Sequence, residues 1–433
     1  MSNIIERIQE AGVVGAGGAG FPTHIKVNCS AEYVIANGAE CEPLLRVDQQ
    51  VMQKHAREIA LAMMAVMEQT GAKYGVIATK SHYGEAVDAL KKGIEGTPIT
   101  LHLMRSYYPA GDEQQIIYEV TGRVVPTGGL PLDVGAIVVN VSTLVNIYDA
   151  LRGVPVTDKY VTVSGAVRHP LTVSVPIGTP IKKLIDAAGG AIGDCTVIIG
   201  GPCMGFVTDD LDTVVTKTTG GVLCLPKDHP LLAKKLSGDM DVRLAKAVCC
   251  QCSMCSQMCP RNSLGLHVLP HKAMMAAAYG DEKLLGDFNG IFSCCDCGIC
   301  TYFACNFGLK PSKITQGMKM QLLKNGVKPK KEVYGPVDRG LEEKKVPTSR
   351  MIARLGVEEY DVPAPMEGGI HTDSVRIPMR MHIGVPATPV VRVGDTVQKG
   401  QLIAEPQGMG AKIHASISGT VQNVNQDFIE IRE

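Results

Sequence analysis

Two cysteine runs carry the clearest chemistry in this chain. The first is Cys249-x2-Cys252-x2-Cys255-x3-Cys259, followed by Pro260; the second is Cys294-x2-Cys297-x2-Cys300-x4-Cys305. Thiolates spaced two residues apart wrap one face of a [4Fe–4S] cubane, and a fourth, a helical turn further on, reaches the other cluster, as in two-cluster bacterial ferredoxins. The spacing therefore assigns Cys249, Cys252, Cys255 and Cys305 to one cluster. It assigns Cys294, Cys297, Cys300 and Cys259 to the other. The second arm departs from the pattern in its x4 spacing and in Asn306, which stands where proline is expected. Cys250 and Cys295 are additional thiols beside ligands, and Cys295 is an alternative to Cys294. A pair of zinc sites is the competing chemistry, for which a triple CxxCxxC run has no use.

Ten of the 15 cysteines lie between Cys249 and Cys305. The segment Met1–Gly12 has no charged stretch followed by an apolar one, so no secretory signal is expected. A cytoplasmic, reducing location follows, where clustered cysteine means metal binding rather than disulfides. The scattered Cys29, Cys41, Cys195, Cys203 and Cys224 are read as unligated thiols. Lys+Arg and Asp+Glu both number 43, so no charge excess points to nucleic acid. No apolar run approaches 18 residues, which excludes direct membrane insertion.

A second candidate site is the glycine-rich stretch Gly15-Ala16-Gly17-Gly18-Ala19-Gly20-Phe21, with Lys26 beyond it. Bare backbone N–H groups in such a loop can approach a phosphate, and Lys26 adds a charge. The formal GxGxxG, with Glu40 twenty residues later, suggests a dinucleotide fingerprint. The preceding IIERIQEAG has helical rather than strand spacing, however, and a plain glycine-rich turn is the alternative.

The elements that must position these groups follow from periodicity. Tyr33–Asn37, Gly75–Thr79 and Ala136–Val141 read as buried strands, and Ala56–Glu68 as a helix, which makes the first 155 residues an α/β layer. YVTVSGAVRHPLTVSVP from Tyr160 reads as a hairpin turning at Arg168-His169-Pro170. A helix follows over Pro180–Ala188, stopped by Gly189-Gly190. Residues 240–325 read as helical and cysteine-rich, 326–365 as a charged, mostly extended connector with Lys328–Lys331 in solvent, and 366–433 as an all-β module. Met63, Met64 and Met67 are helix core. His169, His267 and His271 are read as loop or surface histidines, and Gly200–Gly205 as a tight turn with a packing role near the clusters.

GAGGAGFPTHIK, NGAECEP, YPAGDEQ and GGLPLDVGAIVVNVSTL resemble the FMN- and NADH-binding subunit of respiratory complex I, and more closely the RnfC component of the Rnf electron-transport complex. Over its whole length the chain resembles the PduS-type cobalamin reductases of propanediol-utilisation microcompartments. The resemblance implies a multidomain α/β protein: a Rossmann-like FMN/NADH domain (1–155), an SLBB-like β-grasp domain (156–236), a helical two-cluster ferredoxin-like domain (240–325), a linker (326–365) and a C-terminal barrel-sandwich hybrid of the lipoyl/biotinyl kind (366–433). In RnfC that last module is N-terminal, which favours the cobalamin reductase branch. Ala411-Lys412-Ile413 differs from the surroundings of a biotinyl or lipoyl lysine, so Lys412 is expected to be unmodified.

Carried over residue by residue, the resemblance puts Gly15, Gly17, Gly18, Lys26, Asn37, Glu40, Gly111, Asp112, Asn140 and Thr143 around FMN. It puts Phe21, Glu42 and Glu113 near NADH. Ala16 stands where complex I has Arg, Ala39 where it has Asp, and Val139 where it has the first of two Asn. The implied function is electron transfer from NADH through FMN and two [4Fe–4S] clusters to cobalamin, with no side chain acting as acid or base. The implied partners are cobalamin, an adenosyltransferase and shell proteins of a bacterial microcompartment. An Rnf-like protein serving ferredoxin or flavodoxin, and a non-catalytic electron-carrying or shell-docking component, are the alternatives.

Overall fold

The computed structural model describes residues 3–237 and 240–433; Met1 and Ser2, part of the segment read for a signal, lie outside it. The chain opens with the expected short helix, Ile4–Glu10, capped by the Asn3 side chain, which accepts from Ile5 N–H. Four parallel strands then form a sheet in the order Ile99–Met104, Tyr74–Lys80, Tyr33–Gly38, Ala136–Asn140. All are short apolar runs with helices between them, which is what a parallel sheet covered on both faces requires. The chain lays down three strands to one side and returns to the other, so the order reverses between Tyr33–Gly38 and Ala136–Asn140. In open α/β sheets ligands bind outside the carboxyl ends of the strands at such a reversal.

The second unit is a five-stranded mixed sheet built on the antiparallel pair Asp158–Gly165 and Leu171–Pro176, with the helix Ile181–Ala187 packed on it. Gly189 and Gly190 both adopt left-handed backbone and end that helix. The cysteine region is made of short helices and turns. The C-terminal module consists of a four-stranded and a three-stranded sheet. One continuous apolar cluster runs from Ile8 and Met63 of the first unit to Ile377, Ile403 and Ile431 of the last. Fully burying each such side chain contributes about 1.5–3 kcal/mol, so the C-terminal module is fastened to the nucleotide-type domain. Among the described residues no helix is long and apolar enough to cross a membrane.

The reading of 326–365 as an extended connector needs correction. Val346–Pro347 pairs with Tyr107–Tyr108 of the first unit, and Thr348–Leu355 is a helix. Val346, Met351, Ile352, Leu355 and Val357 are buried with Leu44, Tyr108, Ile198 and Cys297. Apolar residues at 351, 352 and 355 follow helical spacing, a signal hidden by the surrounding Lys, Glu and Pro. Lys328, Lys330 and Lys331 are exposed, as expected, and Lys331 reaches Asp133 at 2.7 Å.

Candidate functional site

The glycine-rich loop closes on itself: Gly15 N–H donates to Phe21 O at 3.0 Å, and Val14 bridges Pro22. It sits at the sheet's reversal point and forms one wall of a 280 Å3 crevice. The crevice is lined by Gly15, Gly17, Gly18, Phe21, Lys26, Asn37, Gly111, Glu113, Asn140 and Thr143. The parallel register sets Asn37 directly beside Asn140. Lys26 Nζ reaches Glu113 Oε1 at 2.9 Å and Val138 O at 2.6 Å.

Other expected residues shape the crevice rather than point into it. Thr143 Oγ1 accepts from Ala16 N–H at 2.9 Å. Asn140 caps the helix Val141–Leu151 through Ser142 N–H, and its Nδ2 donates to Asp48 Oδ2 at 2.8 Å. Lys159, fully buried and contributed by the second unit, donates to Ala16 O at 2.8 Å. Sequence reasoning missed Asp48 and Lys159; nothing in their local pattern distinguishes them. Burial, and then the charge of Glu40, push Asp48 up to about 7, and burial lowers Lys159 to about 8.

A Cβ on Gly17 would stand 2.7 Å from Asn140 Nδ2, and one on Gly111 2.5 Å from Ala39 O. Gly17 and Gly111 are thus packed where only glycine fits, and a Cβ on Gly18 would meet no protein atom, so its backbone lies bare to the crevice. This fits the phosphate and ribityl chain of a flavin nucleotide.

Three residues depart from the expected grouping. Glu40 and Glu42 line a neighbouring cavity instead. Glu42 accepts from Cys203 N–H (2.9 Å) and Met204 N–H (3.1 Å), and its Oε1 lies 3.2 Å from the Tyr108 hydroxyl oxygen. The Gly200–Gly205 turn therefore grips a carboxylate of the first unit, and a Cβ on Gly201 would collide with Glu42 Oε2 at 2.0 Å. Burial pushes Glu42 up to about 7. Asp112, the third, forms a two-pronged ion pair with Arg261.

The cysteines fall into two groups. Cys249, Cys252, Cys255 and Cys305 line one small cavity, with His271 on its wall. Burial, and then Cys305, Cys249 and Cys252, push the Cys255 thiol up to about 12. In the second group the Cys259 and Cys300 thiols are raised by burial and then by Cys294, which stands close to both. This is the cross-arm grouping that the spacing implies. The two arms also share a backbone: Gln251 and Ser253 are left-handed, two and four residues past Cys249, and so are Asp296 and Gly298 past Cys294. Among the described residues no three Cys, His, Asp or Glu side chains close on a single-ion position. Gln251 and Gln316 donate to Cys249 and Cys294 sulfur at 3.2 and 3.8 Å. Buried thiols of this kind are deprotonated by a cationic group that they bind, and the donor set fits two [4Fe–4S] clusters. Cys250 is exposed, whereas Cys295 is beside Cys297 and Arg261.

Lys412 Nζ is held by Glu10 at 2.8 Å.

A nucleotide cradle at a sheet reversal, joined to two ferredoxin-type cysteine groups, defines an iron–sulfur flavoprotein of the electron-transfer class. Residues 8–149 match the Nuo51 FMN-binding domain, 160–207 the SLBB domain, 248–310 a 4Fe-4S dicluster domain and 362–432 the RnfC barrel sandwich hybrid domain. The cobalamin reductase PduS of Salmonella typhimurium is 40% identical over 99% of this chain and 96% of its own length, and that of Citrobacter freundii 39% over 99% and 96%. A component of the proton-translocating ferredoxin:NAD(+) oxidoreductase complex of Clostridium ljungdahlii is 36% identical over 64% of this chain and 60% of its own. The chain belongs to the PduS cobalamin reductase family.

Proposed function

We propose that this protein is an NADH-dependent reductase delivering single electrons to cobalamin, moving cob(III)alamin or cob(II)alamin toward cob(I)alamin. The carrying observation is the junction of its two sites. Asp112, which begins the helix Glu113–Thr121 beside the crevice, is locked to Arg261, two residues past the ligand Cys259, and Tyr108 O–H donates to Cys297 O at 2.6 Å. FMN in the crevice would accept the hydride pair of NADH, and the two clusters would carry the electrons onward singly.

The chain's own residues hold and orient. Gly17 and Gly18 would present backbone donors to the flavin phosphate and ribityl chain, with Lys26 adding charge, while Gly15 closes the loop by donating to Phe21 O. Asn37 and Gly111 face the flavin from the sheet edge. Phe21 and Glu113, at the mouth, are assigned to the nicotinamide nucleotide. Glu40 and Asp112 bound the flavin site indirectly, and Glu42 ties it to the Gly200–Gly205 turn. Cys249, Cys252, Cys255 and Cys305 hold one cluster; Cys259, Cys294, Cys297 and Cys300 hold the other. The boundaries 1–155, 156–236, 240–325, 326–365 and 366–433 remain our division of the chain, with the fourth segment packed onto the first. Residence in a microcompartment, beside shell proteins and an adenosyltransferase, is part of the same reading and rests on the sequence resemblance to PduS-type reductases.

The test is an anaerobic absorbance spectrum before and after NADH, then hydroxocobalamin with an alkylating trap. Flavin and iron–sulfur bands bleached by NADH, followed by alkylcobalamin, are expected. A spectrum without flavin that NADH leaves unchanged would leave only an electron carrier. Bleaching without alkylcobalamin, but with ferredoxin or flavodoxin reduction, would favour the Rnf-like alternative.

A further inference from the structure

Outside the flavin crevice and the cysteine groups, a 700 Å3 cavity lies between the first unit and the segment 348–365. It lies at the carboxyl end of the strand Tyr74–Lys80, the edge at which open α/β sheets bind ligands. Lys80 lines it and is 2% exposed. Among the described residues its ammonium has no hydrogen bond or ion pair; the Tyr83 ring lies 5.8 Å away. Burying a cation without a hydrogen-bond partner is costly, and burial lowers the lysine's pKa against the opposing charges of Cys41 and Glu40.

Two helices also begin on this wall. Gly84–Gly93 and Thr348–Leu355 have ten and eight residues, and neither has a side-chain cap. Thr348 N–H already donates to Ser106 O at 3.3 Å; the remaining first-turn N–H groups of the two helices have no intrahelical acceptor. The cavity's other cation, Arg46, is already paired with Asp361 at 2.5 Å. Glu40 and Glu42 also line the cavity, Glu40 being one of the charges that act on Lys80, and burial raises the pKa of both. Glu85 is exposed and free to turn to water. Gln49 and Gln53, one helical turn apart, add amides that suit the edge of a heterocycle.

A buried cation, two uncapped helix starts and a space of this size match a phosphate better than a carboxylate, because several donors converge on it from different directions. We propose that this cavity is a second ligand site, separate from the glycine-loop crevice, for a phosphate-bearing small molecule of nucleotide size whose phosphate is held by Lys80. This holds whichever electron acceptor the protein serves.

The experiment is calorimetric titration of the purified, cluster-containing chain with AMP and with inorganic phosphate at fixed ionic strength. Saturable AMP binding is expected, with phosphate competing. Lys80→Met should weaken it by about tenfold to a hundredfold, the value of a charge-assisted hydrogen bond, and Lys80→Arg should largely restore it. Flavin and iron content should be unchanged in both. Heats equal to dilution for both probes, or equal binding by Lys80→Met, would overturn the proposal. So would AMP binding lost on Gly17→Ala but kept in Lys80→Met, which would put the nucleotide in the flavin crevice. Should Lys80→Met fail to fold, Gln53→Ala serves as the second variant, and unaltered AMP affinity there would count against the site.

Discussion

Arg261 grips Asp112 with both prongs of its guanidinium, Nε to Oδ2 at 2.7 Å and a terminal nitrogen to Oδ1 at 2.6 Å, and both side chains are buried. Gln115 Nε2 adds a bond to Pro260 O at 2.9 Å. The cluster-ligand loop and the edge of the flavin crevice are therefore one mechanical unit. Removing one charge leaves the other stranded, at a cost of about 3–5 kcal/mol. Arg261→Met should lower the unfolding free energy, read from an anaerobic urea titration, by that amount. Asp112→Leu combined with Arg261→Met should recover much of the loss, and a double variant no more stable than the single one would show that the pair is not coupled.

The shared backbone of the two cysteine arms pairs Cys294 with Cys249, leaving Cys295 out of register. Cys294→Ser and Cys259→Ser should each remove one cluster's complement of iron. Cys250→Ser and Cys295→Ser should leave iron content and the reduced-state EPR spectrum unchanged. Iron loss in Cys295→Ser alone would exchange the two assignments.

Asp48 has a folded pKa of about 7 against an ordinary 3.8, raised by burial and then by Glu40. The folded chain therefore holds a proton that the unfolded chain lacks between those values. The stability that this brings is complete below the unfolded pKa and is lost as pH rises through about 7. Urea midpoints measured from pH 5 to 8 should fall with pH, and Asp48→Asn should flatten that slope. An unchanged slope would place the titration elsewhere.

Gly17→Ala forces a methyl group to 2.7 Å from Asn140 Nδ2 and narrows the crevice. Released flavin, measured by fluorescence after denaturation, should fall several-fold while iron content holds. Loss of both together would mean that the substitution disrupts the fold.

The sequence alone determined the groups whose chemistry is local. Cysteines spaced to wrap a cubane, glycines that let backbone approach a phosphate, and the apolar periods of the Tyr33–Gly38 and Tyr74–Lys80 strands are all encoded among near neighbours. The Thr348–Leu355 helix was legible in the same way, but its three buried residues were diluted by Lys, Glu and Pro until the stretch passed for a connector. Only the tertiary structure decided that Arg261 meets Asp112 across 149 positions, that Lys159 reaches Ala16 from another unit, and that Glu42 is held by the Gly200–Gly205 turn. Charges that end up buried have no local signature, because a partner is chosen by how whole layers pack and by the cost of leaving a charge dry and alone.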